Sequence, residues 1–114
     1  MTKDPSFYLS HILESINKIN NYLDGVDKEE FLDTNMLKDA VIRNLEVIGE
    51  AIKNIPSDFK VEHPATPWRD IAGMRDRIVH FYFGINYDLV WETIKNDLPE
   101  LEDQIEVILK KMKK

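Results

Sequence analysis

Arg75 and His80 are the pair in this chain whose chemistries complement each other at close spacing. The run R-D-R-I-V-H puts four residues between a permanent cation and a proton carrier, and an H-x-Y step leads on to Tyr82. Three of the four arginines, Arg69, Arg75 and Arg77, fall within Pro67 to Gly84, while every lysine lies outside that stretch. Arginine's planar fork matches a phosphate and stays charged, so the selection of arginine over lysine suggests placed cations. Histidine titrates near neutral pH and can both take and give a proton. The combination suits metal-free cleavage of RNA, with histidine moving protons at the 2'-hydroxyl and the leaving oxygen and arginine stabilising charge on phosphorus.

The element that must carry these residues is a helix. Thr66 can cap it, with Pro67 at its first position, where a missing donor costs nothing, and Gly84 offers a left-handed stop. In projection Trp68, Ile71, Arg75, Ile78 and Tyr82 recur by threes and fours, which puts Arg75 on an apolar line. A guanidinium there needs either an ion pair or a ligand phosphate. Asp76 stands four residues before His80, where it could hold the imidazole's tautomer and favour its charged form. Five helical residues rotate by roughly 500°, leaving Arg75 and His80 about 140° apart on the cylinder. Either the helix unwinds near His80, or a second copy brings a second motif across a two-fold axis. Tyr82, seven residues from Arg75, shares its face.

The remaining segments read as further helices. Asp4 and Pro5 start one whose stripe is Tyr8, Ile12, Ile16, Ile19 and Leu23, ending at Gly25. Asp27 to Leu32 makes a short helical turn. Asp33 or Thr34 caps a longer helix carrying Leu37, Val41, Leu45, Ile48, Ile52 and Ile55, which stops at Pro56. On it Asn44 sits at the edge of the apolar arc as a core amide, and Arg43 falls with Glu46 and Glu50 on the opposite, solvated side. Pro56 to Thr66 forms the main non-helical connection. Asn86 or Asp88 opens a last seam of Tyr87, Trp91, Ile94, Leu98, Leu101, Ile105, Ile108 and Met112, which Pro99 kinks or restarts.

Composition narrows the classes of function. A chain of 114 residues with 43% hydrophobic content has the size of one domain with one core, here residues 1–114. The absence of cysteine excludes disulfides, thiolate metal sites and a cysteine nucleophile. The net charge of -6 argues against sequence-independent binding of long nucleic acid. No signal peptide or membrane-spanning run is visible, which makes the cytoplasm the expected location. No zinc spacing, Gly-rich phosphate loop or G-x-S-x-G elbow accompanies the three histidines His11, His63 and His80. Neither a metal nor a cofactor is therefore expected.

At these residues the chain resembles the HepT family of prokaryotic toxins, small all-helical members of the HEPN superfamily. The likeness covers nearly the whole length and rests on the R-x4-H of Arg75 and His80, on H-x-Y to Tyr82, on the PW of Pro67 and Trp68, and on the GEA of Gly49 to Ala51. It implies an all-α, up-and-down bundle of four to five helices that forms a homodimer, with two motifs facing each other to make the site. It implies a metal-independent ribonuclease acting on RNA as a toxin, with Arg75 and His80 catalytic and Asp76 in support. It also implies a cognate minimal nucleotidyltransferase as antitoxin, which modifies the motif tyrosine, here Tyr82, with AMP. One departure is Asp76, where asparagine is common in relatives, because it adds negative charge beside a phosphate site. An alternative is a non-catalytic partner that binds nucleotide or substrate for a separate nucleotidyltransferase. A third reading, a structural helical partner, predicts that Arg75 is buried against an internal carboxylate.

Overall fold

The computed structural model describes residues 4–113, apart from the side chains of Val79 and Tyr82. The order is α1 (Pro5–Tyr22), α2 (Lys28–Asp33), α3 (Asn35–Asn54), α4 (Ser57–Glu62), α5 (Trp68–His80), a 3-10 turn (Tyr82–Gly84), α6 (Tyr87–Asn96) and α7 (Leu98–Met112). The fold is all-α, and no strand occurs among the described residues.

Local chemistry explains several boundaries. Asp4 accepts the Ser6 amide at 2.8 Å, and that bond holds its carboxyl below the usual carboxylate range. Past the end of α1 the chain reverses at Gly25, whose φ of 74° suits a residue without Cβ. Asp27 caps α2 through the Glu30 amide at 2.9 Å, and Asn86 caps α6 through Leu89 at 3.1 Å. Thr34 stands at the start of α3 but turns its hydroxyl back to donate to the Glu30 carbonyl at 2.7 Å. Pro99 restarts the last seam, so α6 and α7 are separate helices meeting at Asp97.

Three expectations are corrected. The segment after Pro56 is not a non-helical connection, because Ser57–Glu62 forms α4. Six residues are too short for a period to declare itself, although Asp58 in the first turn is where the helix dipole favours an acid. Thr66 does not cap α5: its hydroxyl is buried without a hydrogen-bond partner among the described residues, and Pro67 sits one position before the helix. Gly84 is not a left-handed stop either, since Gly25 has the one positive φ among the described residues. The helix ends earlier, at His80, with the Phe81 amide closing on the Arg77 carbonyl at 2.9 Å.

The core lies around α3, which packs against α1 on one side and α5 on the other, while α7 covers α1 and α6. Leu9, Ile12, Ile19, Phe31, Val41, Ile48, Leu101 and Ile105 are fully buried there. Asn44 is buried as a satisfied amide, its Nδ2 donating to the Ala40 carbonyl at 2.9 Å. Trp68 is buried at the start of α5 and donates from its indole to the His63 carbonyl at 3.0 Å. That bond ties the end of the α4 connection to α5 and so positions the helix that bears Arg75.

Candidate functional site

Arg75 is held by three residues within one and a half turns of α3. A Cβ added at Gly49 would overlap Arg75 Cβ and lie 2.5 Å from its Cγ, so the missing side chain is what lets α5 approach. Next to it, the Glu50 carboxylate forms a salt bridge with the guanidinium at 3.0 Å. Lys53, one turn on, pairs with Asp76, whose carboxylate also stands 3.4 Å from Arg75. The hydrogen bond from Lys53 leads in holding the Asp76 carboxyl below its ordinary range, its charge and Arg75 adding to that against some desolvation.

This arrangement lies between the two readings of an arginine on an apolar line. Arg75 is 24% exposed and its Nε is buried with no hydrogen-bond partner among the described residues, but Glu50 is 57% exposed. The pair therefore opens to solvent on its acidic side. Surface pairs of this kind contribute about 0–1 kcal/mol, so a phosphate can compete for the fork.

His80 is the last residue of α5 and is exposed. Because the chain is helical through His80, the separation of roughly 140° from Arg75 applies, and the unwinding comes one residue too late to close it. Asp76 does not hold the imidazole: among the described residues no hydrogen bond or ion pair joins it to His80, and its partners are Lys53 and Arg75. Tyr82 opens the 3-10 turn, so the helical register that would put it on Arg75's face stops before it, and its side chain lies outside the described residues.

Comparison with known proteins decides the family. A family model described as "Ribonuclease HepT-like" matches residues 12–108. The chain belongs to the HepT-like ribonuclease family. Relatives include "Putative RNase TTE0752" of Caldanaerobacter subterraneus, 46% identical over 97% of this chain and 99% of that protein. "Probable ribonuclease HepT" of Thermococcus cleftensis is 44% identical over 96% of this chain and 100% of its own. "Gamma-glutamylcyclotransferase and putative RNase MJ0434" of Methanocaldococcus jannaschii aligns with 100% of this chain at 43% identity, over 51% of its own length. No solved structure matches the chain.

Within this HepT-like fold, residues beyond the motif gain a place. Phe81 and Phe83 flank Tyr82 and are 66% and 103% exposed, an aromatic surface beside His80. The run H-F-Y-F carries that signal, but aromatic content alone does not separate a core position from a surface one. Helical projection puts Glu50 on the solvated side beside Arg43, whereas it reaches across to α5. Periodicity reports faces of one helix and cannot show which distant helix a face meets.

Among the described residues no helix is long and apolar enough to cross a membrane, and no group of three or more His, Asp or Glu is placed to hold a metal.

Proposed function

We propose that this chain is a metal-independent endoribonuclease and the toxin of a toxin–antitoxin pair, working in the cytoplasm as a dimer of single HEPN-like domains, residues 1–114. The carrying observation is Arg75, whose aliphatic root packs onto Gly49 and whose guanidinium turns its fork toward solvent-open carboxylates, on the helix that ends at His80. Family membership supports the same reading.

In the reaction the RNA 2'-oxygen attacks the adjacent phosphorus and the bond to the 5'-oxygen breaks, leaving a 2',3'-cyclic phosphate and a 5'-hydroxyl. His80 removes the 2'-hydroxyl proton and gives it to the departing 5'-oxygen. Arg75 stabilises the charge that grows on the phosphoryl oxygens. The divergence of Arg75 from His80 on α5 favours a site shared by two copies of the chain, with Arg75 from one and His80 from the other. Phe81 and Phe83 supply apolar surface for that contact. Asp76 tempers the site by adding negative charge beside the phosphate.

Control falls to Tyr82. A cognate minimal nucleotidyltransferase would direct its hydroxyl oxygen at the α-phosphorus of ATP, releasing pyrophosphate and leaving AMP on the tyrosine. The added phosphate and nucleoside would block the approach of RNA to the motif. Mass spectrometry after incubation with that enzyme and ATP should find the AMP on Tyr82 and none in Tyr82→Phe.

The main test is cleavage of RNA by purified protein in EDTA. Wild-type chain should cut, and Arg75→Ala or His80→Ala should lose at least about 100-fold while keeping the helical circular dichroism spectrum. Undiminished cutting by both variants would reject the assignment. A second reading draws on one observation, that Glu50 and Asp76 already occupy the Arg75 fork. In it the chain is a non-catalytic partner that presents nucleotide or substrate to a nucleotidyltransferase, and its expression alone would not arrest growth.

A further inference from the structure

We propose that the groove between α1 and α3 is a nucleotide subsite for the RNA strand that reaches Arg75, an inference that rests on the ribonuclease reading. The groove has a volume of about 520 Å³, within the range of sites that take small ligands. Phe7, Tyr8 and His11 line it from α1, Arg43, Glu46 and Glu50 from α3, and Arg75 from α5. His80 does not line it, so the groove leads to one member of the catalytic pair and away from the other.

Its chemistry is that of a single-stranded nucleic acid site. Phe7 is 41% exposed, and its ring stands 4.6 Å from the His11 imidazole and 5.3 Å from Tyr8, both in edge-to-face geometry. Aromatic side chains on the wall of a groove accept bases by stacking with little regard to sequence. Arg43 is exposed and forms no salt bridge among the described residues, and Glu50, which shares its face of α3, is paired with Arg75. Arg43 and Glu50 are seven residues apart on one face of α3, about 10 Å along the axis. Two guanidiniums thus stand in line along the groove, the second being Arg75 at the Glu50 end, with aromatic rings on the opposite wall. That sequence of cation and ring is what a strand offering phosphates and bases requires.

A nucleotide fits this surface better than a second copy of the chain. Arg43 makes no salt bridge among the described residues even with Glu46 in the same groove, and a nucleotide brings the phosphate that it lacks. The sequence alone does not reveal the groove, since periodicity puts Arg43 on a solvated face.

The test uses full-length protein and two substrates: a fluorescent 2'-O-methyl oligonucleotide that cannot be cut, read by anisotropy, and the matching RNA, read by cleavage. Arg43→Ala and Phe7→Ala should each weaken oligonucleotide binding about tenfold, and Phe7→Trp should restore it. In cleavage the same variants should raise KM by a similar factor with little change in kcat. Lys110→Ala, which removes a charge from the last turn of α7, should change neither. Wild-type binding and KM in both groove variants would overturn the subsite while leaving the ribonuclease reading intact. Failure of the wild-type chain to cut RNA would remove that reading, and the uncleavable oligonucleotide would still report on the groove. Loss of the dimer in Arg43→Ala, measured by light scattering, would instead assign the groove to protein contact and overturn the proposal.

Discussion

At Arg75, two carboxylates occupy the fork that a phosphate would need. Glu50 stands 3.0 Å and Asp76 3.4 Å from the guanidinium, and Asp76 is held there by Lys53 as well. Asp76 is thus an anchored negative charge beside the proposed phosphate site. Asp76→Asn should raise kcat/KM on RNA several-fold at low salt, with the gain shrinking toward 1 M salt as the charge is screened. Equal activity of the two proteins at every salt concentration would count against a phosphate at Arg75. The lowered Asp76 pKa also gives a pH dependence. An acid whose folded pKa is depressed contributes stability above its unfolded value, near 4, and loses it as pH falls through the folded one. Acid unfolding of Asp76→Asn should accordingly begin from a smaller stability advantage at neutral pH than the wild type has.

The approach of α5 to α3 depends on Gly49. Alanine is the better helix former by about 1 kcal/mol, but its Cβ would collide with the rigid root of Arg75, and the tip of that side chain cannot relieve it. Gly49→Ala should destabilise by roughly 1–3 kcal/mol in urea unfolding and should lower RNA cleavage by displacing Arg75. A neutral outcome on both would show that the seam is looser than the structure has it. Asp97, at the junction of α6 and α7, is affected in the opposite sense from Asp76. Burial, with Asp70 adding to it, raises its pKa, so the ionised form is disfavoured in the folded state. Stability is then lost as pH rises from the unfolded pKa through the folded one. Asp97→Asn should raise Tm slightly at pH 7, by no more than about 0.5 kcal/mol in stability, and give no gain below pH 3.

The elements differ in how well the chain displays them. Asp4 with Pro5, Asp27 and Asn86 are local caps acting over two or three residues, so each marks the start of its helix in the sequence itself. The apolar stripes locate the core for the same reason. The end of α5 at His80 is hidden, because three more residues of a 3-10 turn carry the chain to Gly84 without an obvious break. α4 is hidden by its length. The Glu50–Arg75 and Lys53–Asp76 pairs are beyond the reach of local patterns, since each joins residues more than twenty positions apart.

For the whole molecule, α3 as the central helix means that core stability and the site depend on the same packing. Ile48, fully buried one residue before Gly49, should cost about 2–5 kcal/mol on replacement by alanine and should take cleavage down with it as the population unfolds. The chain presents Arg75 and His80 in different directions, and the exposed Phe81 and Phe83 lie beside His80. In our account each chain therefore supplies half of a site, and this can be measured by mixing two inactive proteins. Arg75→Ala and His80→Ala, exchanged to form heterodimers confirmed by native mass spectrometry, would rebuild one site from the intact Arg75 of one chain and the intact His80 of the other. The prediction is recovery of about a quarter of the wild-type cleavage rate in an equimolar mixture. A mixture containing the heterodimer yet as silent as its two components would contradict it.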